Sequence, residues 1–473
     1  MGVDPETGRI IDFHHPLHSS VITDQFLAIP GCLGSCVASG VMIELLTNGH
    51  GPAGMIFQRL DAILILGILI SKVMLGKSIP VIVIPDKDDF MSLQSADEIH
   101  ISHDGVIRSH PAGRELQALS RLQNEMTLST KENEFLKVQH RPAAQIAMEV
   151  LVSYAALEGA PYLIDISQAH IDALPVPTTL NGISVDQLRW RELETESGMS
   201  TSASLLADVY AAMDAQKSFT HAPYLLDTAP QADEQIGWAE SNTVIFANTV
   251  LGARTQKYPG LLDVFISLTG RAPYVGCHTT AGRLPKLCID IPPLFQPNDS
   301  VFPLLGYYIG QIAGSEIPLV RGMEALQPIR SDMKAFCAGF ATTSSAAMVH
   351  IKGLTPEATG IIAGEEHLPV HDTSHCMLAA CYSVLNSATD ASIDLVSLGN
   401  PHFSLEEFAL LTILCQGRRK NSSVELVITT NRTVYQHALN KGYIQELEDL
   451  GGKIHNRHML VHAWGASCTK ACA

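Results

Sequence analysis

With 473 residues and 46% hydrophobic side chains, the chain is too long for one ordinary core and has the makeup of a globular protein, so two or more packed domains are expected. Its formal net charge of −17 comes without any basic stretch, which argues against nucleic acid and anionic membrane as partners, because both recognise clustered Lys and Arg. A protein that handles a small molecule fits better.

From the N-terminus, Met1-Gly2-Val3-Asp4-Pro5 lacks a basic start followed by an apolar run, and no secretory signal is expected. Short apolar runs then alternate with helix-like ones, each change punctuated by Gly or Pro: a strand at residues 26–29, a helix at 41–47 after a Gly-rich turn, a strand at 55–57, a helix at 62–74 and a buried strand at 80–84. This predicts a small α/β domain over residues 1–108. Its most apolar stretch, 62–71, is closed by Asp61 and Lys72 after ten residues, about half of what a bilayer span needs, and reads as a buried helix. Residues 109–126, with Leu116, Leu119 and Leu122 at helical spacing, read as a helical connector. An amphipathic helix over 143–156 opens a larger α/β region that runs from 127 to 463, followed by a tail at 464–473. Ten scattered cysteines show no disulfide-framework spacing, so a reduced intracellular setting, the cytoplasm by preference, is expected.

Several dense motifs recur along this frame. Gly2-Val3-Asp4-Pro5-Glu6-Thr7-Gly8-Arg9-Ile10-Ile11-Asp12, His14-His15-Pro16-Leu17 and Pro30-Gly31 with Gly34-Ser35-Cys36 lie in the small domain. In the larger one come Ala169-His170-Ile171-Asp172, Val176-Pro177-Thr178-Thr179-Leu180-Asn181, Ala222-Pro223-Tyr224, Trp238-Ala239-Glu240-Ser241-Asn242 and Val250-Leu251-Gly252-Ala253-Arg254-Thr255. Gly270-Arg271-Ala272-Pro273-Tyr274, Gly306-Tyr307-Tyr308-Ile309-Gly310 and Gly399-Asn400-Pro401-His402-Phe403-Ser404 continue in order. By number and order these strings resemble the aconitase X family. The resemblance implies a small swivelling α/β domain followed by a larger, aconitase-like, multi-lobed α/β domain. It also implies a hydro-lyase that dehydrates a small hydroxylated carboxylic acid with an iron-sulfur cluster as Lewis acid. Fusion of the two domains is similar to the cis-3-hydroxy-L-proline dehydratase type. A mevalonate 5-phosphate dehydratase is the alternative, as is a catalytically impaired pseudoenzyme on the same scaffold.

Each candidate site residue has a functional and a structural reading. Ser35 and Ser39, in the Gly-flanked turn before the first helix, can face a substrate carboxylate or cap the helix, and the resemblance makes Ser35 the proton acceptor. His170 and Asp172, two apart at a strand end, share a face suited to a polar substrate group. Asn181 either bonds a carboxylate or closes an Asx turn. Glu240, with Ser241 beside it, follows apolar residues and suits an acid kept protonated by burial, or a buried carboxyl serving backbone. Arg254 and Arg271, in Gly-containing turns, can grip a carboxylate or belong to structural ion pairs.

By the resemblance, the family's cluster cysteines fall at positions that here hold His221, Asn400 and residues 455–458. His221 stays a candidate metal ligand, and of the cysteines in turns near family motifs, Cys36 and Cys277, the latter with His278 beside it is the more suggestive. Cys468 and Cys472 lie in the atypical tail. Against the family pattern, the chain is expected to lack strands before residue 1, a turn and helix between Asp172 and Val176, and a closing Asn-Ser-Ala-Lys segment.

Overall fold

The computed structural model of the chain describes residues 2–455 apart from 13–14, 16, 32–37, 94–97, 102–105, 111–114, 118–125, 138–141, 171–177, 180–203, 206–207, 209–214, 217, 295–299, 361, 363, 387 and 389. Ser35, Asp172 and Asn181, together with Cys36, Cys468, Cys472 and the tail, lie outside the described residues.

In the N-terminal part the predicted alternation becomes a three-stranded parallel sheet in the order Phe26–Ile29, Gly54–Phe57, Val81–Val83. The central strand is buried along its whole length, which is why its sequence reads as an unbroken apolar run and not an alternating one. Helices Ala38–Asn48 and Ala62–Leu75 pack on each other beside it. The second starts where the Asp61 carboxylate accepts from the Leu64 N–H at 2.9 Å and stops at Gly76, whose φ of 66° only glycine adopts cheaply. The two helices cross closely at Gly67, where a Cβ would lie 2.6 Å from the Ser39 carbonyl oxygen. Among the described residues no helix is long and apolar enough to cross a membrane.

The predicted helical connector is corrected in its first half. Glu98–Ile101, Val106–His110 and Glu115–Gln117 form an antiparallel three-stranded sheet, so Leu116 sits in a strand. Three leucines three apart are too short a pattern to fix a period, and cross-strand pairing overrides it. Helix Pro142–Leu157 then packs on the Ala62 helix and on Leu262–Thr269, while Leu163–Asp165 pairs antiparallel with Arg271–Pro273. One compact unit therefore comprises Met1–Asp165 with Tyr258–Gly276, and the other Ile166–Lys257 with Cys277–Ala473. The chain returns at residue 258 to complete the first unit.

The second unit holds a four-stranded parallel sheet ordered His350–Ile351, Pro318–Arg321, Leu287–Asp290, Val370–Asp372. Its helices Val301–Ala313 and Arg330–Thr343 lie in contact: a Cβ on Gly306 would meet the Phe336 carbonyl oxygen at 2.1 Å, and one on Gly339 the Pro303 carbonyl oxygen at 2.3 Å. That close approach is the physical content of the Gly306-Tyr307-Tyr308-Ile309-Gly310 string. Further on, Leu395–Leu398, Glu425–Thr429 and Gly452–His455 form a three-stranded parallel sheet, whose first two strands lead at their carboxyl ends into helices Leu405–Cys415 and Arg432–Asn440. A short parallel sheet joins Ala169–His170 to Thr178–Thr179 and Gly237–Trp238.

Candidate active site

Glu240 is placed by a buried polar web in the second unit. The strand Gly237–Trp238 ends two residues before it, and Glu240 stands at the cap of helix Ser241–Phe246, which runs into a single π turn over Ala247–Leu251 and closes at Gly252 with φ 74°. The Thr255 hydroxyl accepts from the Trp238 N–H at 3.2 Å and donates to the Trp238 carbonyl at 3.0 Å. Thr255 is held in turn by Asn248, which exchanges two backbone bonds with it at 2.8 and 3.0 Å. Arg283, buried without exception, donates to the Asn248 side chain at 3.0 Å, to the carbonyls of Ala253 and Cys277, and to Glu357 at 2.8 Å. A buried guanidinium is tolerated only when its donors are satisfied, and here they fix the turn that fixes Trp238.

The two oxygens of Glu240 differ. Oε1 accepts from Asn242 Nδ2 at 2.6 Å and lies 3.2 Å from His221 Nδ1. Oε2 is shielded from solvent and has no hydrogen-bond partner among the described residues. The Tyr224 hydroxyl reaches Asn242 Oδ1 at 3.4 Å, and burial, reinforced by the nearby Glu240 carboxylate, pushes its pKa well above the ordinary phenol value. His221 packs edge-on to His402 with ring centroids 5.2 Å apart, and its backbone N–H points to His402 Nδ1 at 3.4 Å. A backbone N–H can only donate, so Nδ1 of neutral His402 is an acceptor and its proton sits on Nε2. Thr220 Oγ1 lies 3.3 Å from the same nitrogen and accepts from Asn431 Nδ2 at 3.5 Å. Chemically this is a carboxyl-imidazole pair braced by amide and hydroxyl donors, an arrangement that can hold and pass a proton.

Of the residues singled out from sequence, Glu240 and His221 are brought together, with Ser241 opening the adjacent helix. His170 is buried in the strand paired with Trp238, its ring 5.8 Å from the indole. Ser39 is corrected from substrate contact to packing: it lies inside the first helix and its buried hydroxyl donates to the Ile63 carbonyl at 2.7 Å. Both arginines take the structural reading. Arg254 binds Asp233 through two nitrogens at 2.8 and 2.9 Å. Arg271 is buried in the first unit, 2.5 Å from Glu132 and 2.7 Å from Asp165, with a further bond to the Leu163 carbonyl. Each guanidinium already grips a carboxylate of its own chain. His402, Thr220 and Asn431 were missed by sequence reasoning; the available signal was their place in loops leaving or facing the carboxyl ends of parallel strands, where α/β proteins build sites.

The described residues do not fit an iron-sulfur cluster. No three His, Cys, Asp or Glu side chains among them gather as a metal site. Cys277 is buried, with no second thiol or carboxylate of such a group beside it among the described residues, and its backbone is bonded to the Gln256 and Arg283 side chains. Its neighbour His278 is driven down to about 3 by burial and by the adjacent guanidinium groups, and holds Gln235 at 2.6 Å. His221 turns its Nδ1 to Glu240.

The family models agree with the fold. Residues 1–109 match the aconitase X swivel domain, 125–175 and 173–281 the first domain, 285–375 the second and 393–459 the third. The cis-3-hydroxy-L-proline dehydratase of Hypocrea jecorina is 42% identical, over 96% of this chain and 82% of that protein. The protein of the same name from Pseudomonas aeruginosa is 39% identical over 96% of this chain and 83% of its own length. The crystal structure of Thermococcus kodakaraensis aconitase X in its holo form superposes with a TM-score of 0.64 at 26% identity, covering 71% of this chain and 89% of that one. The chain belongs to the aconitase X family.

Proposed function

We propose that this chain is a hydro-lyase that dehydrates cis-3-hydroxy-L-proline, the activity carried in the names of its curated relatives. The observation that supports a working site is the asymmetry of Glu240. With Oε1 occupied by Asn242 and His221, a proton on this carboxyl belongs on Oε2, the shielded oxygen with no partner among the described residues. In the elimination a base takes the proton from the carbon beside the carboxylate, the electron pair forms the ring double bond, and the C–O bond to the hydroxyl breaks. Glu240 gives its Oε2 proton to the departing oxygen, which leaves as water, and the resulting carboxylate keeps its bonds to Asn242 and to the Nδ1–H of His221. His402 and Thr220 hold His221 in place. Ser35 is assigned the carbon-bound proton by family resemblance, with Asp172, Asn181 and His170 as substrate contacts. An iron-sulfur cluster is the Lewis acid that the family resemblance leads one to expect. A phosphorylated substrate is disfavoured because no Lys or Arg lies between Leu27 and Phe57.

Anaerobically purified protein supplied with cis-3-hydroxy-L-proline tests this. Turnover is expected, and Glu240→Gln is expected to lower kcat by about a hundredfold or more with little change in KM. Undiminished kcat in that variant would remove Glu240 from the chemistry. A ligand-raised melting temperature without turnover would instead mark a binding scaffold. Iron and sulfide assayed on the same sample report directly on the cluster.

A further inference from the structure

Helix Arg330–Thr343 contributes no residue to the proton-carrying pair, yet two of its side chains, one turn apart, reach the turn after His221 and the His402 loop that packs against it. Lys334 is buried; its Nζ donates to the His402 carbonyl at 3.0 Å and forms an ion pair with Glu407. Glu407 also accepts from the Ser404 N–H at 2.7 Å, while its own N–H donates to the Ser404 hydroxyl at 3.2 Å, a reciprocal cap that fixes the start of helix Leu405–Cys415 just after His402. Arg330, four residues earlier and so on the same side of the helix, donates to the Tyr224 carbonyl at 3.1 Å and lies 5.7 Å over the Phe246 ring, on which Tyr224 stacks at 4.0 Å. Tyr224 is the central residue of the short turn Pro223–Leu225, which follows directly after His221 and Ala222. The helix itself is seated in the core through Met333, Phe336, Cys337 and Phe340.

We propose that Lys334 and Arg330 are positioning residues: they peg the His402 loop and the His221 turn to one rigid helix and so set the distance between the two imidazoles that orients His221 towards Glu240. An ammonium is an expensive group to bury for stability alone, since an ion pair of this kind rarely outperforms apolar packing. Burial lowers the Lys334 pKa, and the Glu407 carboxylate opposes that shift. What the pair supplies is a directional bond to a main-chain carbonyl next to a functional ring, and errors of about 1 Å there cost on the order of a hundredfold in rate.

This inference rests on the Glu240 and His221 reading, and the test separates the two. Lys334→Met combined with Glu407→Gln removes the donor to His402 without stranding a buried charge, and glutamine retains the cap on Ser404. With cis-3-hydroxy-L-proline, kcat is expected to fall roughly tenfold to a hundredfold while KM stays within about twofold and the melting temperature is little changed. Arg330→Met, at a solvent-facing position, is expected to give the same split to a smaller degree and decides the matter if the double variant does not fold. If Glu240→Gln is impaired while Arg330→Met and the folded double variant keep parental kcat, the positioning role is overturned and the site reading stands. If Glu240→Gln itself keeps parental kcat, the site reading fails and takes this inference with it. A parallel fall in kcat and melting temperature would assign both residues to packing.

Discussion

Asp263 offers a sharp check on the electrostatics. It lies in the first turn of helix Leu262–Thr269, fully buried, with Oδ1 accepting from the Val264 N–H at 2.8 Å and Oδ2 without a partner among the described residues. Burial raises its pKa from 3.8 to about 7, against the pull of backbone N–H groups that favour the charged form. Because the folded value lies above the unfolded one, its stabilising contribution is complete below pH 3.8, declines through the interval and is gone above about 7. A rise from 3.8 to about 7 corresponds to on the order of 4 kcal/mol at neutral pH and above. Asp263→Asn keeps the volume and cannot ionise, so its stability relative to the parent should climb by that order between about pH 4 and about pH 8, then level off. Hydrogen exchange of the amides in Leu262–Thr269, read as an opening free energy at several pH values, measures this helix without requiring the whole chain to unfold in one step. A difference that stays constant across the range would mean that water reaches the carboxyl and would refute the argument.

The remaining predictions concern packing and ion pairs. Gly306→Ala puts a methyl group 2.1 Å from a main-chain oxygen that cannot swing away, so a loss of about 3 kcal/mol or more, seen as a lower melting temperature, is expected. Arg271→Met should cost about 3–5 kcal/mol because it strands the buried Glu132 carboxylate, and Glu132→Gln in the same chain should recover part of the loss. Arg254→Met faces an Asp233 whose side chain is 78% exposed, so its effect on stability should stay within about 1 kcal/mol. A large rise in KM from Arg254→Met alone would restore that residue to substrate binding.

Elements whose signals are local were readable before any coordinates. The strand Phe26–Ile29 and the helix Ala62–Leu75, with Asp61 before it and Gly76 after it, carry their own start and stop chemistry. The strands Val106–His110 and Glu115–Gln117 depend on pairing with each other, so a few leucines at helical spacing misdirected the reading. The site shows the same divide. Glu240 was recognisable as a carboxyl in apolar surroundings, but its companion His221 lies 19 residues away and His402 stands 182 residues from Thr220. The arginines were recognisable as carboxylate binders. Which carboxylate they bind is decided by tertiary placement, which puts Asp233 beside Arg254 and Glu132 beside Arg271.

The return of residues 258–276 to the first unit bears on how the protein can be made. A nascent chain that has emerged only to Asp165 has its Pro142 helix without the Leu262 helix and its Leu163 strand without the Arg271 strand. The ribosome must deliver nearly a hundred residues of the other unit before the missing pieces arrive, and meanwhile that edge and that helix face are open to chaperones. Recombinant fragments meant to isolate this half need the later stretch grafted on or supplied in trans.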